Sequence, residues 1–270
     1  MSASSRNDFR LCSSIEMEDL VERATVRRVE DIRDAALSIR DFAAQYGLRA
    51  ALCANIASRE AITDADGSVL AADLFGWRAE GERWWEDRNL ALHALLPRSC
   101  RYESEPFWCS ARGFFTASPN PYLKEIDPGG YFTSQSCFKA VIMVPVHLPF
   151  AQVSANSFAP CDPEADDLSD IFAAIGGILG AITRRFISGY VSAMRTKRRI
   201  PSDCELSKRE VECLRWAAIG KTDREIAMII ALSHATIRYH INRAGEKLNA
   251  INRAQAVFKA GQLGYLGANA

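Results

Sequence analysis

Between residues 207 and 255 the chain carries three pairs of one form, a hydroxyl or amide residue followed three positions later by Glu or Gln. They are Ser207 with Glu210, Thr222 with Glu225, and Asn252 with Gln255. In such a pair the first side chain accepts from the backbone amide three residues on, and the acidic or amide side chain reaches back, so a helix start is fixed there. A fourth start is marked by Ser233, which precedes an apolar series at Ile237, Ile241, Ala244 and Leu248. These starts confine the last seventy residues to four short helices, at about 208–219, 223–230, 234–249 and 252–261. Gly220 ends the first, and Ala231, Leu232 and Ser233 make a tight turn between the second and third.

Two helices joined by a three-residue turn form a helix-turn-helix. With Ile237, Ile241, Ala244 and Leu248 facing inward, 100° per residue places Ala235, Tyr239, Asn242, Arg243 and Glu246 on the opposite side of the third helix, with Arg238 on its flank. That side is suited to a major groove. Arginine pairs with guanine or phosphate, asparagine with adenine, and a tyrosine ring offers apolar contact to a thymine methyl. Thr222, Ser233 and Thr236 sit at helix starts, where hydroxyls hold phosphate or cap the helix. The DNA-binding set is Thr222, Ser233, Thr236, Arg238, Tyr239, Asn242, Arg243 and Lys247. Charge agrees: 16 Lys and Arg against 7 Asp and Glu from residue 184 onward leave +9, balanced by −9 before it.

Residues 206–266 resemble the LuxR-type helix-turn-helix through REVECLRWAAIGKT, EIA, S-x-x-T-I-R-Y-H-I, KL, NRAQAV and the final G-Y-L. The resemblance implies that Arg238, Tyr239 and Asn242 face the groove and that the last helix pairs two subunits. It implies double-stranded promoter DNA as partner, bound by a homodimer or by a heterodimer with a paralogue, on a roughly palindromic site.

Residues 1–194 read as an α+β sensor or dimerisation domain, joined by a basic linker at 195–203 (RTKRRIPSD) to the DNA-binding domain at 204–270. Apolar residues at helical spacing make 16–46 an amphipathic helical segment ended by Gly47. Strands are expected at 48–56, 107–116, 138–146 and 152–158. A helix follows from the acids of 162–170 to about residue 194, and Gly176, Gly177 and Gly180 on its face permit close approach of another element.

This region resembles, through Trp84-Trp85 with Leu90, Pro106-Phe107-Trp108 and the 141–146 and 153–158 strand pair, the autoinducer-binding domain of LuxR-type quorum-sensing regulators. That implies an α-β-α sandwich around a small-molecule pocket, for which Trp84, Trp85, Tyr102 and Trp108 are the candidate lining. Where the family has an Asp-Pro that binds an acyl-homoserine lactone amide, this chain has His93-Ala94 or Ala94-Leu95, and no glycine precedes Pro145. A charge-assisted acceptor worth about 1.5–3 kcal/mol is thereby missing. The expectation is an orphan or divergent regulator with atypical lactone binding or none; the alternative is a lactone-responsive regulator with an altered pocket.

With 48% apolar and 24% charged residues the chain reads as globular. Its most apolar run, 171–182, is shorter than the roughly 18–20 residues of a membrane span, and no secretory start is visible, so a cytoplasmic protein is expected. Eight cysteines without a C-x-x-C pair read as free buried thiols, with no metal site and no cofactor beyond an unknown small-molecule ligand. His93 and His147 lack nucleophile partners, so no catalytic residues are assigned. A receiver-domain response regulator fits poorly, since no early strand ends in paired acids. An enzyme with an accessory DNA-binding module is the reading from another class.

Overall fold

The computed structural model describes residues 14–57, 61–77, 94–134, 137–149, 151–194 and 205–266. They form two compact units, one of residues 14–148 and 152–194 and one that includes the residues from Glu205 on. The 195–203 stretch lies outside the described residues, as do Trp84, Trp85 and His93.

In the N-terminal unit α1 (Ser14–Arg23) leads through a 3-10 turn (Val29–Asp31) into α2 (Ile32–Gln45). The continuous helical segment expected at 16–46 is therefore broken. Thr25 hydrogen-bonds back to the Val21 carbonyl at 2.8 Å, and Asp31 Oδ2 accepts from the amides of Arg27 at 3.1 Å and Arg28 at 2.8 Å. The Arg28 amide above all holds the Asp31 carboxyl below its ordinary range.

Next come β1 (Leu48–Ala51), the short α3 (Leu70–Asp73) and α4 (Leu95–Ser99), then β2 (Phe107–Ser110) and β3 (Gly113–Phe115). The expected strand at 107–116 is thus a hairpin of two short strands with Trp108 opposite Phe115. After α5 (Pro121–Lys124) and α6 (Gly129–Ser134), β4 (Ala140–Leu148) and β5 (Gln152–Pro160) pair from Leu148↔Gln152 to Ile142↔Phe158. The five strands make one antiparallel sheet in the order β1-β5-β4-β2-β3.

β1 stops at Ala51, short of the expected Ile56; beyond it the backbone still bonds β5 at two points, Ala155 N to the Cys53 carbonyl at 3.2 Å and Ile56 N to the Val153 carbonyl at 2.8 Å, and side chains fill in between. Asn156 Oδ1 accepts from the Cys53 amide at 3.3 Å, Asn156 Nδ2 donates to the Val144 carbonyl at 2.9 Å, and Ser154 Oγ donates to the Cys53 carbonyl at 2.7 Å. Buried polar groups are thereby satisfied without a regular ladder.

α7 (Ser169–Met194) begins where Asp167 accepts from the Ser169 amide at 2.9 Å. Hydrogen bonds from Ser169 first, then from Arg112, bring the Asp167 pKa to about 2. The helix is long and apolar enough to cross a membrane by length and composition. In this fold it packs on β4 and β2, burying Ile175, Leu179, Ile182, Phe186 and Ile187, while α2 packs on β1 and on α7. β4 is buried from Ala140 to Val146, so both sheet faces are covered, as the α-β-α layering requires. Close approach occurs at Gly180, where a Cβ would lie 2.7 Å from Pro106 Cγ, and more severely at Gly189, where it would lie 2.2 Å from the Val26 carbonyl oxygen. Gly177 has open space, and a Cβ at Gly176 would meet only Phe172 of its own helix.

The C-terminal unit is four helices: α8 (Lys208–Ala218), α9 (Asp223–Ile229), α10 (His234–Lys247) and α11 (Arg253–Gln262). The capping pairs at Ser207/Glu210 and Thr222/Glu225 are reciprocal. At the last helix Asn252 accepts from the Gln255 amide at 2.8 Å, but Gln255 Oε1 accepts from Ile251, one residue before the cap.

Candidate nucleic-acid interface

α9 and α10 enclose a small apolar core of Cys213, Ile226, Ile237 and Ile241, with Trp216, Ile230 and Leu232 against it. Leu214, Ala244, Leu248, Ala256 and Ala260 join α8, α10 and α11. Burial raises the Cys213 thiol to about 11, so it behaves as a packed apolar group.

All four helices end alike, with a residue in left-handed conformation and the next amide reaching back five residues. Lys221 N bonds Trp216 O after Gly220, Leu232 N bonds Ala227 O after Ala231, Ala250 N bonds Gly245 O after Asn249, and Tyr265 N bonds Ala260 O after Gly264. This satisfies carbonyls that a helix end leaves orphaned. Ala231, at φ +55°, is the alanine among the four, and it forms the turn between α9 and α10.

Along α10 one side buries Ile237, Ile241 and Ala244, and the other leaves Arg238, Tyr239, Asn242, Arg243 and Glu246 exposed. Tyr239 is 61% exposed, a large ring left in solvent beside the edge of His240. Arg243 pairs with Glu246 at 2.8 Å, which raises its pKa further. The hydroxyls at helix starts are engaged in capping. Ser233 accepts from the Thr236 amide at 3.1 Å and shares a hydrogen bond with the Thr236 hydroxyl, and Thr222 Oγ1 bonds Glu225.

Lys247 lies apart from this side: its ammonium donates to Glu210 at 2.8 Å, with the two side chains 30% and 6% exposed. Burial pushes the Glu210 carboxyl up, but Lys247 and the Ser207 amide outweigh it and hold the carboxyl below its ordinary value. Arg253 donates to Asp223 and to the Lys221 carbonyl, and Lys259 donates to the carbonyls of Leu248 and Asn249. Among the described residues, Lys208, Arg215, Arg224 and Arg238 have no carboxylate within ion-pair distance. Lys221, Arg224, His234 and Arg253 line an open groove beside the starts of α9 and α10.

The linking roles of Glu210, Arg253 and Lys259 escape a sequence reading. Their partners sit on other helices, and only the capping half of Glu210's role has a local signature.

In the N-terminal unit the two described pocket candidates have separate partners. Tyr102 is 43% exposed and stacks on Tyr122, while Trp108 is buried and stacks on Phe115 at 3.9 Å. His147 Nε2 hydrogen-bonds the Cys100 carbonyl at 2.9 Å, and burial raises the thiols of Cys100 and Cys109.

Comparison with known proteins follows this geometry. Residues 204–260 match the family described as bacterial regulatory proteins, luxR family. The transcriptional activator protein VanR of Vibrio anguillarum is 35% identical over 47% of this chain and 52% of its own length. The HTH-type quorum sensing-dependent transcriptional regulator RpaR of Rhodopseudomonas palustris is 29% identical over 71% of this chain and 73% of its own. The chain spans about half the length of the VanR relative. A crystal structure of Escherichia coli SdiA is 21% identical, covers 93% of this chain and 98% of that one, and superposes with a TM-score of 0.48. With the match running from 204 to 260 across α8, α9, α10 and most of α11, the C-terminal unit is a helix-turn-helix domain of the luxR family.

Proposed function

We propose that this chain is a cytoplasmic transcriptional regulator that binds double-stranded promoter DNA as a dimer, reading bases with the exposed side of α10. One observation carries the reading: Arg238, Tyr239 and Asn242 project together into solvent while the opposite side of the same helix is locked in the core. Arg238 addresses guanine or phosphate, Asn242 adenine, and Tyr239 a thymine methyl. Lys247 acts from within by holding α10 to α8, and Thr222, Ser233 and Thr236 cap the helices that present phosphate-facing amides. Subunit pairing through α11 is supported by Ile251 and Phe258, 87% and 63% exposed, beside buried Ala256 and Ala260.

The N-terminal unit serves as a sensor or dimerisation domain of divergent specificity, and the protein acts as a regulator rather than a catalyst. Mass spectrometry of small molecules retained by the purified chain tests whether it holds a ligand and of what mass. Titration of the full chain with duplexes recovered by in-vitro selection tests the DNA reading. Replacing Arg238 and Asn242 by alanine together is expected to cost about 2–4 kcal/mol of specific binding. Equal affinity of wild type and double variant for the selected duplex rejects the assignment.

A further inference from the structure

Besides its apolar seam, α11 carries two cations that reach opposite ends of the helix-turn-helix. At its first position Arg253 donates both to Asp223, the first residue of α9, and to the carbonyl of Lys221 just before it. In its middle Lys259 donates to the carbonyls of Leu248 at 3.1 Å and Asn249 at 2.5 Å, where α10 ends. Between them Ala256 and Ala260 are buried against Leu214, Ala244 and Leu248, with Val257, Leu263, Tyr265 and Leu266 partly buried beside them, so apolar packing holds α11 in place and the two cations add directional links at its ends. Charge-assisted hydrogen bonds to fixed acceptors are directional and stronger than neutral ones. From this we infer that Arg253 and Lys259 are positioning residues: they set the angle between the helix that pairs subunits and the helix that reads DNA, and so fix the half-site spacing the dimer accepts.

The inference rests on the dimer and groove readings above. Neither residue lies on the exposed side of α10, and both are half-buried. Each acts through α9 or α10. In a two-fold dimer the separation of the reading helices follows from how each is attached to the pairing helix. A small rotation of α11 displaces the distant reading helix along the duplex while leaving a single half-site contact intact.

The test uses the full-length chain and three duplexes: one recovered by in-vitro selection, the same duplex with two base pairs inserted between its half-sites, and an isolated half-site. The wild type is expected to lose about tenfold or more in affinity on the insertion. In Arg253→Met and Lys259→Met that preference is expected to shrink to about twofold, with half-site affinity within about threefold of wild type, because the attachment loosens and the reading face does not. Lys259→Arg, which still donates to carbonyls, restores the preference. Lys208→Met, which removes a cation without a link, weakens all three duplexes alike. Should Arg253→Met fail to fold, Lys259→Met and its arginine counterpart carry the test.

A spacing preference unchanged in Lys259→Met overturns the inference and leaves the groove reading standing, as does a loss shared equally by all three duplexes. A wild type indifferent to the insertion overturns the dimer reading and the inference with it. Equal affinity of the wild type and the Arg238→Ala and Asn242→Ala double variant for the selected duplex marks failure of the groove reading, separately from both.

Discussion

In the N-terminal unit, β4 and β5 hold a core that includes Phe107, Phe158, Phe186, Ile142 and Leu179, and the polar groups inside it are matched by residues far along the chain. In the C-terminal unit the innermost side chains are smaller and fewer, Cys213, Leu214, Ile226, Ile237 and Ala244 among them, and order comes from helix ends and charged links. A short helical unit buries too little apolar surface to fix its geometry by packing alone, so capping and ion pairs acquire weight. The larger unit relies on close fit, and its weak points are places where backbone meets backbone.

That contrast is open to attack most sharply at Gly189. A methyl group there meets the Val26 carbonyl, which cannot yield without moving the link between α1 and α2. Gly189→Ala is expected to lower the stability of the N-terminal unit by about 3 kcal/mol, measured by denaturant unfolding, and to leave protection of α8–α11 amides against hydrogen exchange unchanged. Equal loss in both units would dissolve the distinction.

The matching attack on the other unit is Glu210→Ala, which leaves Lys247 and the Ser207 amide without their acceptor. About 2 kcal/mol is expected, confined to α8 and α10. The folded carboxyl titrates below its ordinary value, so this contribution is present above the usual glutamate range and is lost as pH falls through the folded pKa. An acid titration followed by hydrogen exchange should show the C-terminal unit of wild type weakening there, and Glu210→Ala showing less of that dependence.

Smaller effects refine the picture. Thr183 is fully buried on α7 with its hydroxyl unpartnered among the described residues, so Thr183→Val should raise the melting stability of the N-terminal unit by about 1 kcal/mol. A decrease would mean that the hydroxyl has a partner in solution. At the turn, Ala231→Gly relieves the left-handed backbone at φ +55° and is expected to add about 0.5 kcal/mol to the C-terminal unit after the entropy of a freer unfolded chain is counted. Destabilisation by the glycine would place the cost of this turn elsewhere.

What the sequence made legible divides along the same line. Ser207/Glu210, Thr222/Glu225, Ser233 and Asn252 act within three residues of themselves, so the four helices and the exposed side of α10 could be laid out from spacing alone. The break between α1 and α2 could not, because the apolar spacing runs through it, although the hydrogen bonds of Thr25 and Asp31 that shape it are local. Nor could the end of β1, where the Cys53 amide is bonded by an asparagine 103 residues away instead of by a regular ladder. Of the proposed interface, the exposure of Arg238, Tyr239 and Asn242 was readable by helical phase. Lys247 shares that helix but is turned inward by Glu210, a partner 37 residues earlier, and phase says nothing about partners.

The inward engagement of Lys247, Arg253 and Lys259 bears on how such a regulator would search a chromosome. Non-specific attraction to nucleic acid grows with the number of phosphates neutralised, and each displaced counterion steepens the response to ionic strength. Lys247 and Arg253 are each paired with a carboxylate of their own fold, and so would displace fewer counterions than free cations would. On the proposed function, a molecule built this way would linger less on unrelated sequence than its formal charge suggests, and would leave more of its discrimination to the exposed side chains of α10.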